Sequence, residues 1–256
     1  MLAGALKGVG IPVVQYDLNL EMIRSMLQPA SLEGLKRIVA DTMRSSQAKV
    51  FRLAVLKYAE QNPDLWLEAT RKGSGGVGTE AQARSIRIAK RVFDIALEAS
   101  CLGPAKSHLR ETIAAWKNPV VSGCTPDQDP LFGAMASWVS ATLPAHPCLF
   151  GITLPFFDQI LPAAALAALL KSRNPGSVVV LGGPQVWLHL DLLEGHAGVS
   201  EAVDGLCFGP GEGPFTELAR HFQEGLEGLP SLPNIRWARN GRPPPGPGSR
   251  IRYFLI

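Results

Sequence analysis

The stretch "VVVLGGPQVW", Val178 to Trp187, decides the fold. Its first four residues are aliphatic without alternation, the pattern of a strand buried on both faces of a parallel sheet. Two glycines and a proline follow at once. Glycine accepts backbone conformations and close approaches that other residues refuse, and proline is preorganised for the first turn of a helix. The stretch therefore predicts a strand that turns tightly into a helix, with something brought close where side chains are missing. A ligand is the expected occupant, because ligands of open parallel sheets gather outside the carboxyl ends of the strands, beside helix N-termini.

The flanking sequence repeats the pattern. A strand "CLFGITL" (148–154) precedes a helix over Gln159–Ser172, and "SVVVLGG" (177–183) a helix through Leu193. A strand "VDGLCFG" (203–209) then leads into the helix "GPFTELARHFQEG" (213–225), and a short strand is expected near "NIRWAR" (234–239). Strands alternating with helices at this spacing predict right-handed βαβ units on a parallel sheet. Far upstream, "GIPVVQYDLN" (10–19) reads as one more strand closing in a polar loop. From about Leu20 to Trp116 the periodicity is helical, as at Leu53, Leu56 and Ala59, or Ile86, Ala89, Val92 and Phe93. The expected organisation is an α/β domain of residues 1–19 and 145–239, a helical insertion over 20–144, and a Pro/Gly linker tail over 240–256.

Composition narrows the function. With 46% hydrophobic and 18% charged residues and a net charge of +3, the 256-residue chain is expected to fold, and no nucleic-acid partner is indicated. The longest apolar run, "ILPAAALAALL" (160–170), is too short for a membrane helix, and the N-terminus lacks the order of a signal peptide, so a cytoplasmic protein without a membrane partner is expected. Cys101, Cys124, Cys148 and Cys207 match no metal or cluster spacing, and Cys148 and Cys207 read as small core residues. His189, Asp191 and His196 in "WLHLDLLEGH" do not share one helical face, so no metal site is expected. Neither GxSxG nor HExxH occurs, and the chain is not expected to be catalytic alone. The glycine-rich "RKGSGGVGTE" (71–80) has no strand before it and no GK[ST], and reads as a helix–helix connection. "GPGEGP" (209–214) sits on the last strand instead of the first, which argues against a dinucleotide.

Taken in order, "DLN" at 17–19, "GITLPFFDQ" at 151–159, a lysine (Lys171) before "NP", "VVVLGGPQV" at 178–186 and "VDGLCFGPGEGPFTELARHF" at 203–222 resemble the cobalamin-binding N-terminal domain of the B12-dependent radical SAM enzymes. The resemblance covers roughly Leu2–Asn19 and Cys148–Trp237. It implies a flavodoxin-like open parallel sheet whose loops hold cobalamin. Thr153, Leu154, Pro155 and Gln159 would serve from the first loop, Gly182, Gly183, Pro184 and Gln185 from the second, and Gly209, Pro210, Gly211 and Glu212 from the third.

Departures from the family shape further expectations. No DxHxxG is present, so cobalt would not be held by a histidine of this chain. No CxxxCxxC follows, so no iron–sulfur cluster is expected here, and a radical SAM domain would act as a partner in trans. The family's first strand would precede "LAGALKGVG", which leaves a mid-sheet gap. A fragment, a sheet in which "NIRWAR" or a partner strand fills the gap, and a homodimer through the open edge all stay open. The competing function is a degenerate α/β domain that recruits a protein or peptide through the helical block, with Trp66, Trp116 and Trp138 as core or interface residues.

Overall fold

The computed structural model describes residues 2–42, 47–70, 79–100, 102, 128–224, 232–238 and 252–255. They divide into two compact units, one running over residues 2–17 and from 142 onward, the other over 18–102 and 128–141. The first is mixed α/β around a mostly parallel open sheet.

That unit begins with helix α1 (Leu2–Gly8) and strand β1 (Val13–Gln15). Strand β2 (Cys148–Thr153) leads through a 3-10 turn (Phe157–Gln159) into helix α8 (Ile160–Arg173). Strand β3 (Val178–Gly182) leads into the short helices α9 (Pro184–Leu188), α10 (Leu190–Glu194) and α11 (Ala197–Ser200). Strand β4 (Gly205–Cys207) leads into α12 (Glu212–Glu224), and β5 (Ile235–Trp237) and β6 (Arg252–Leu255) close the series. The sheet order is β1-β6-β2-β3-β4-β5.

The pleat sorts the strand residues by face. Leu149, Val178, Val180 and Cys207 point to one side, where they form a core with Leu6 of α1 and Phe215, Leu218, Ala219 and Phe222 of α12. Phe150, Val179 and Leu181 alternate to the other side. Helix α8 packs on β3 there, and it buries residues almost all around its circumference, which explains why its sequence is so uniformly apolar.

At the opposite end of the strands from the glycine turns, an ion pair joins half-buried Lys171 of α8 to buried Asp204. Lys171 Nζ donates to Asp204 at 2.9 and 3.0 Å and to the Ser177 carbonyl at 2.7 Å. The Asp204 carboxylate also accepts from the Val179 N–H at 2.9 Å, and the Asp204 N–H donates to the Val179 carbonyl at 2.9 Å. The lysine before "NP" and the aspartate that opens β4 are thus sheet-clamping residues.

Two expectations are corrected. "NIRWAR" does form a strand, β5, but it pairs with β4 antiparallel at the sheet edge instead of filling the gap beside β1. Strand β6, from the segment expected to be part of a linker tail, lies between β1 and β2. It runs parallel to β1 and to β2, with Phe254 opposite Val14 and Phe150. The consecutive prolines of 243–245 predict a linker, whereas "RYFL" is a short run of strand-forming residues that needs only open ladders on both sides.

The second unit is helical: α2 (Leu18–Met26), α3 (Pro29–Thr42), α4 (Gln47–Gln61), α5 (Leu65–Thr70), α6 (Glu80–Ala99) and α7 (Pro130–Thr142). Helix α6 packs against α2, α3, α4 and α5, and its first turn is capped by Thr79 Oγ1, which accepts from the Gln82 N–H at 3.1 Å. Buried Asp129 caps α7 in the same way, accepting from the N–H groups of Leu131 and Phe132 at 3.0 and 2.9 Å and from the Ser100 hydroxyl. Trp138 is buried on α7. Trp116, Cys101, Cys124 and most of the glycine-rich 71–80 stretch lie outside the described residues. Among the described residues no helix is long and apolar enough to cross a membrane.

Candidate functional site

On the α1/α12 side of the sheet, the carboxyl ends of β1, β2, β3 and β4 open into a cavity of about 460 Å³. Its floor is the strand face itself: Gly151 and Thr153 on β2, Val180 and Gly182 on β3, Cys207 on β4. Gln15 and Tyr16 form one wall with Leu2 and Ala3 of α1, and Glu212 and Phe215 of α12 form the other.

The three loops expected from the sequence do meet here, but they divide by role. Thr153, Gly182, Gly183, Gly209, Pro210, Gly211 and Glu212 line the cavity, and Leu154, Pro155, Gln159, Pro184 and Gln185 do not. Leu154 is buried, and its backbone stitches the first loop to the second: its N–H donates to the Gly182 carbonyl at 2.8 Å, and its carbonyl accepts from the Gln185 N–H at 3.2 Å. The Gln185 side chain reaches back toward the Pro155 carbonyl at 3.4 Å. Gln159 Oε1 accepts from the Phe156 N–H at 3.3 Å and so serves the turn that starts α8. Pro184 occupies the start of α9.

This stitching explains the glycine pair. Gly183 has φ +96° and ψ 175°, a region open to glycine alone, and a Cβ there would lie 3.0 Å from both the nitrogen and the oxygen of Leu154. What comes close to the end of the strand is therefore the neighbouring loop's own backbone. Gly182 differs. A Cβ on it would meet Cys207 Cβ at 3.6 Å, an ordinary contact, and would take up space on the cavity floor.

Chemically the cavity is an apolar slot with a few polar points. Glu212, in the first turn of α12, makes no ion pair among the described residues, and the Thr153 hydroxyl has no hydrogen-bond partner among them. Burial, and secondly the negative charge of Glu212, push the Cys207 thiol up from the ordinary 9.0 to about 11, so at neutral pH it is a neutral, unreactive surface. The arrangement offers a ligand room, a hydroxyl and a carboxylate.

Among the described residues no three His, Cys, Asp or Glu side chains come together as metal ligands. His196 accepts from the Val199 N–H at 3.2 Å through Nδ1 and caps α11, while the His189 ring stacks edge-on with Phe157 at 4.9 Å. None of the described histidines lines the cavity.

Sequence reasoning missed Leu2, Ala3, Gln15, Tyr16, Gly151, Ile152, Val180, Cys207 and Phe215 as lining residues. The period-two alternation held the signal for part of this, since it puts Gly151, Val180 and Cys207 on one face. The α1 and β1 wall had no motif. Outside the cavity, Phe156 on the first loop and Trp187 and Leu188 on α9 stand 65–68% exposed. Comparisons with protein-family models, curated proteins and solved structures find no match to this chain.

Proposed function

We propose that this chain is a cobalamin-binding module, a carrier or the separated B12 domain of a radical SAM methyltransferase-type system, and that it is not catalytic alone. The observation that carries the reading is the convergence of the three strand-end loops on one cavity floored by Gly151 and Gly182. We read the sheet as flavodoxin-like, with β6 in the inner position that the first strand takes in that order.

A cavity of about 460 Å³ falls within the range of roughly 300–1,000 Å³ typical of small-molecule sites. It is too small for a whole corrinoid and would take the nucleotide arm, and the loops after β2, β3 and β4 at its mouth would hold the rest of the cofactor. Gly182 and Gly151 keep the slot smooth, Thr153 offers a hydroxyl, and Glu212 accepts from amide donors. None of the described histidines lines the cavity, so the residues that would hold the cofactor are Thr153, Gly182, Gly183, Gly209, Gly211 and Glu212. When bound, cobalamin supplies a cobalt centre able to carry a methyl group, and the residues here bind and orient it for a radical SAM partner acting in trans.

A second reading, a protein- or peptide-interaction module, draws on the exposed Phe156, Trp187 and Leu188. One experiment separates the two. The full chain is incubated with hydroxocobalamin, freed of unbound ligand by gel filtration, and its visible spectrum recorded. Corrin bands co-eluting in stoichiometric amount, and lost in a folded Gly182→Leu variant, support the carrier; a folded wild type without bands sinks it.

A further inference from the structure

One wall of the cavity depends on a segment that no site motif reaches. Strand β1 stands at the sheet edge, and its ladder partner is β6: Val13, Val14 and Gln15 pair with Tyr253, Phe254 and Leu255. On its other side β6 pairs with β2, placing Gly151 opposite Leu255. Gln15 and Gly151, which flank the end of β6, both line the cavity, as does Tyr16.

The packing points the same way. Phe254 is 2% exposed and lies between the rings of Tyr16, at 6.3 Å with planes 14° apart, and Phe150, at 5.2 Å and 22°. Val14 and Gln15 are exposed and only Val13 packs, partly buried, against the core, so the carboxyl end of β1 has little burial of its own. An edge strand of that kind opens at low free-energy cost unless its ladder holds it. Helix α1 keeps a second attachment through α12, but Gln15 and Tyr16 lean on β6.

We propose that docking of β6 between β1 and β2 completes the cavity, and that strand docking and ligand binding are cooperative. A ligand that touches both the Gln15/Tyr16 wall and the β2–β4 floor is held fully only when β6 is docked, so it stabilises the docked state, and loosening β6 weakens the ligand by the same factor. Phe254 is then a positioning residue, acting through Tyr16. The cooperativity rests on the reading of the cavity as the cofactor's pocket; the dependence of the β1 wall on β6 does not.

The test uses the full chain and two readouts. In hydrogen exchange without ligand, Phe254→Ala speeds amide exchange at residues 13–15 by about tenfold or more while residues 205–207 on β4 stay protected, and Phe254→Leu restores most of the protection. Unchanged exchange at 13–15, or loss of protection throughout the sheet, overturns the proposal. In the second readout hydroxocobalamin is the probe. It slows exchange at 13–15 and 252–255 in the wild type, and binds Phe254→Ala about tenfold or more weakly. Equal affinity for wild type and Phe254→Ala overturns the cooperativity while leaving the cofactor reading intact. A wild type that binds none overturns the cofactor reading and the cooperativity resting on it, and the ligand-free exchange still decides whether β6 holds the β1 wall.

Discussion

Replacing Gly183 with alanine separates a glycine kept for the fold from a glycine kept for a ligand. Its φ of +96° and ψ of 175° lie where a side chain costs about 1–3 kcal/mol. The new methyl would also meet the Leu154 nitrogen and oxygen at 3.0 Å and its carbonyl carbon at 3.2 Å. Those atoms cannot recede without breaking the Leu154–Gly182 and Gln185–Leu154 hydrogen bonds of 2.8 and 3.2 Å, so overpacking adds about 1–3 kcal/mol. Together the two effects cost on the order of 2–6 kcal/mol, which for a chain of this size lowers Tm by roughly 5–20 °C. Thermal unfolding followed by circular dichroism measures it, with Gly182→Ala as the control. At Gly182 the added methyl makes ordinary contact with Cys207 at 3.6 Å, and the expected change is under about 1 kcal/mol. A Gly183→Ala protein melting with the wild type, or a Gly182→Ala protein melting as low as Gly183→Ala, would refute the reasoning.

Two further outcomes follow from buried charge. Asp204→Ala removes the partner of Lys171 and the acceptor for the Val179 N–H, and is expected to destabilise by about 3–5 kcal/mol. Denaturant unfolding of Asp204→Ala beside a Lys171→Met/Asp204→Leu double variant checks this, since the apolar pair should recover part of the loss; equal losses would show that the ion pair itself is not what the single variant breaks. The raised pKa of Cys207 has two consequences. Alkylation mapped to Cys207 should be slow at mildly alkaline pH and rise toward pH 11. Because the folded thiol holds its proton more tightly than the unfolded one, its contribution to stability is complete below about pH 9 and is lost as the pH climbs through about 11. Rapid alkylation of the native chain near pH 8 would contradict the burial.

The strands from Cys148 to Cys207, their helices and the three loops were legible in the sequence because each strand lies in a short, mostly apolar run and each turn carries glycine or proline. These are local properties: a run of β-branched residues and a missing Cβ constrain the chain wherever it lies. The sequence alone thus determined the mixed α/β class, the three loops around the cavity and the helical character of the block after β1. Only the tertiary structure decided which neighbours those elements have. It assigned Gly183 to the Leu154 backbone, tied Lys171 of α8 to Asp204 at the start of β4, turned β5 antiparallel and slid β6 between β1 and β2. Each of these joins positions distant in the chain, and hydrogen-bond complementarity between strands is nearly indifferent to which residues supply it, so "RYFL" carried no mark of its place until two open ladders were there to receive it.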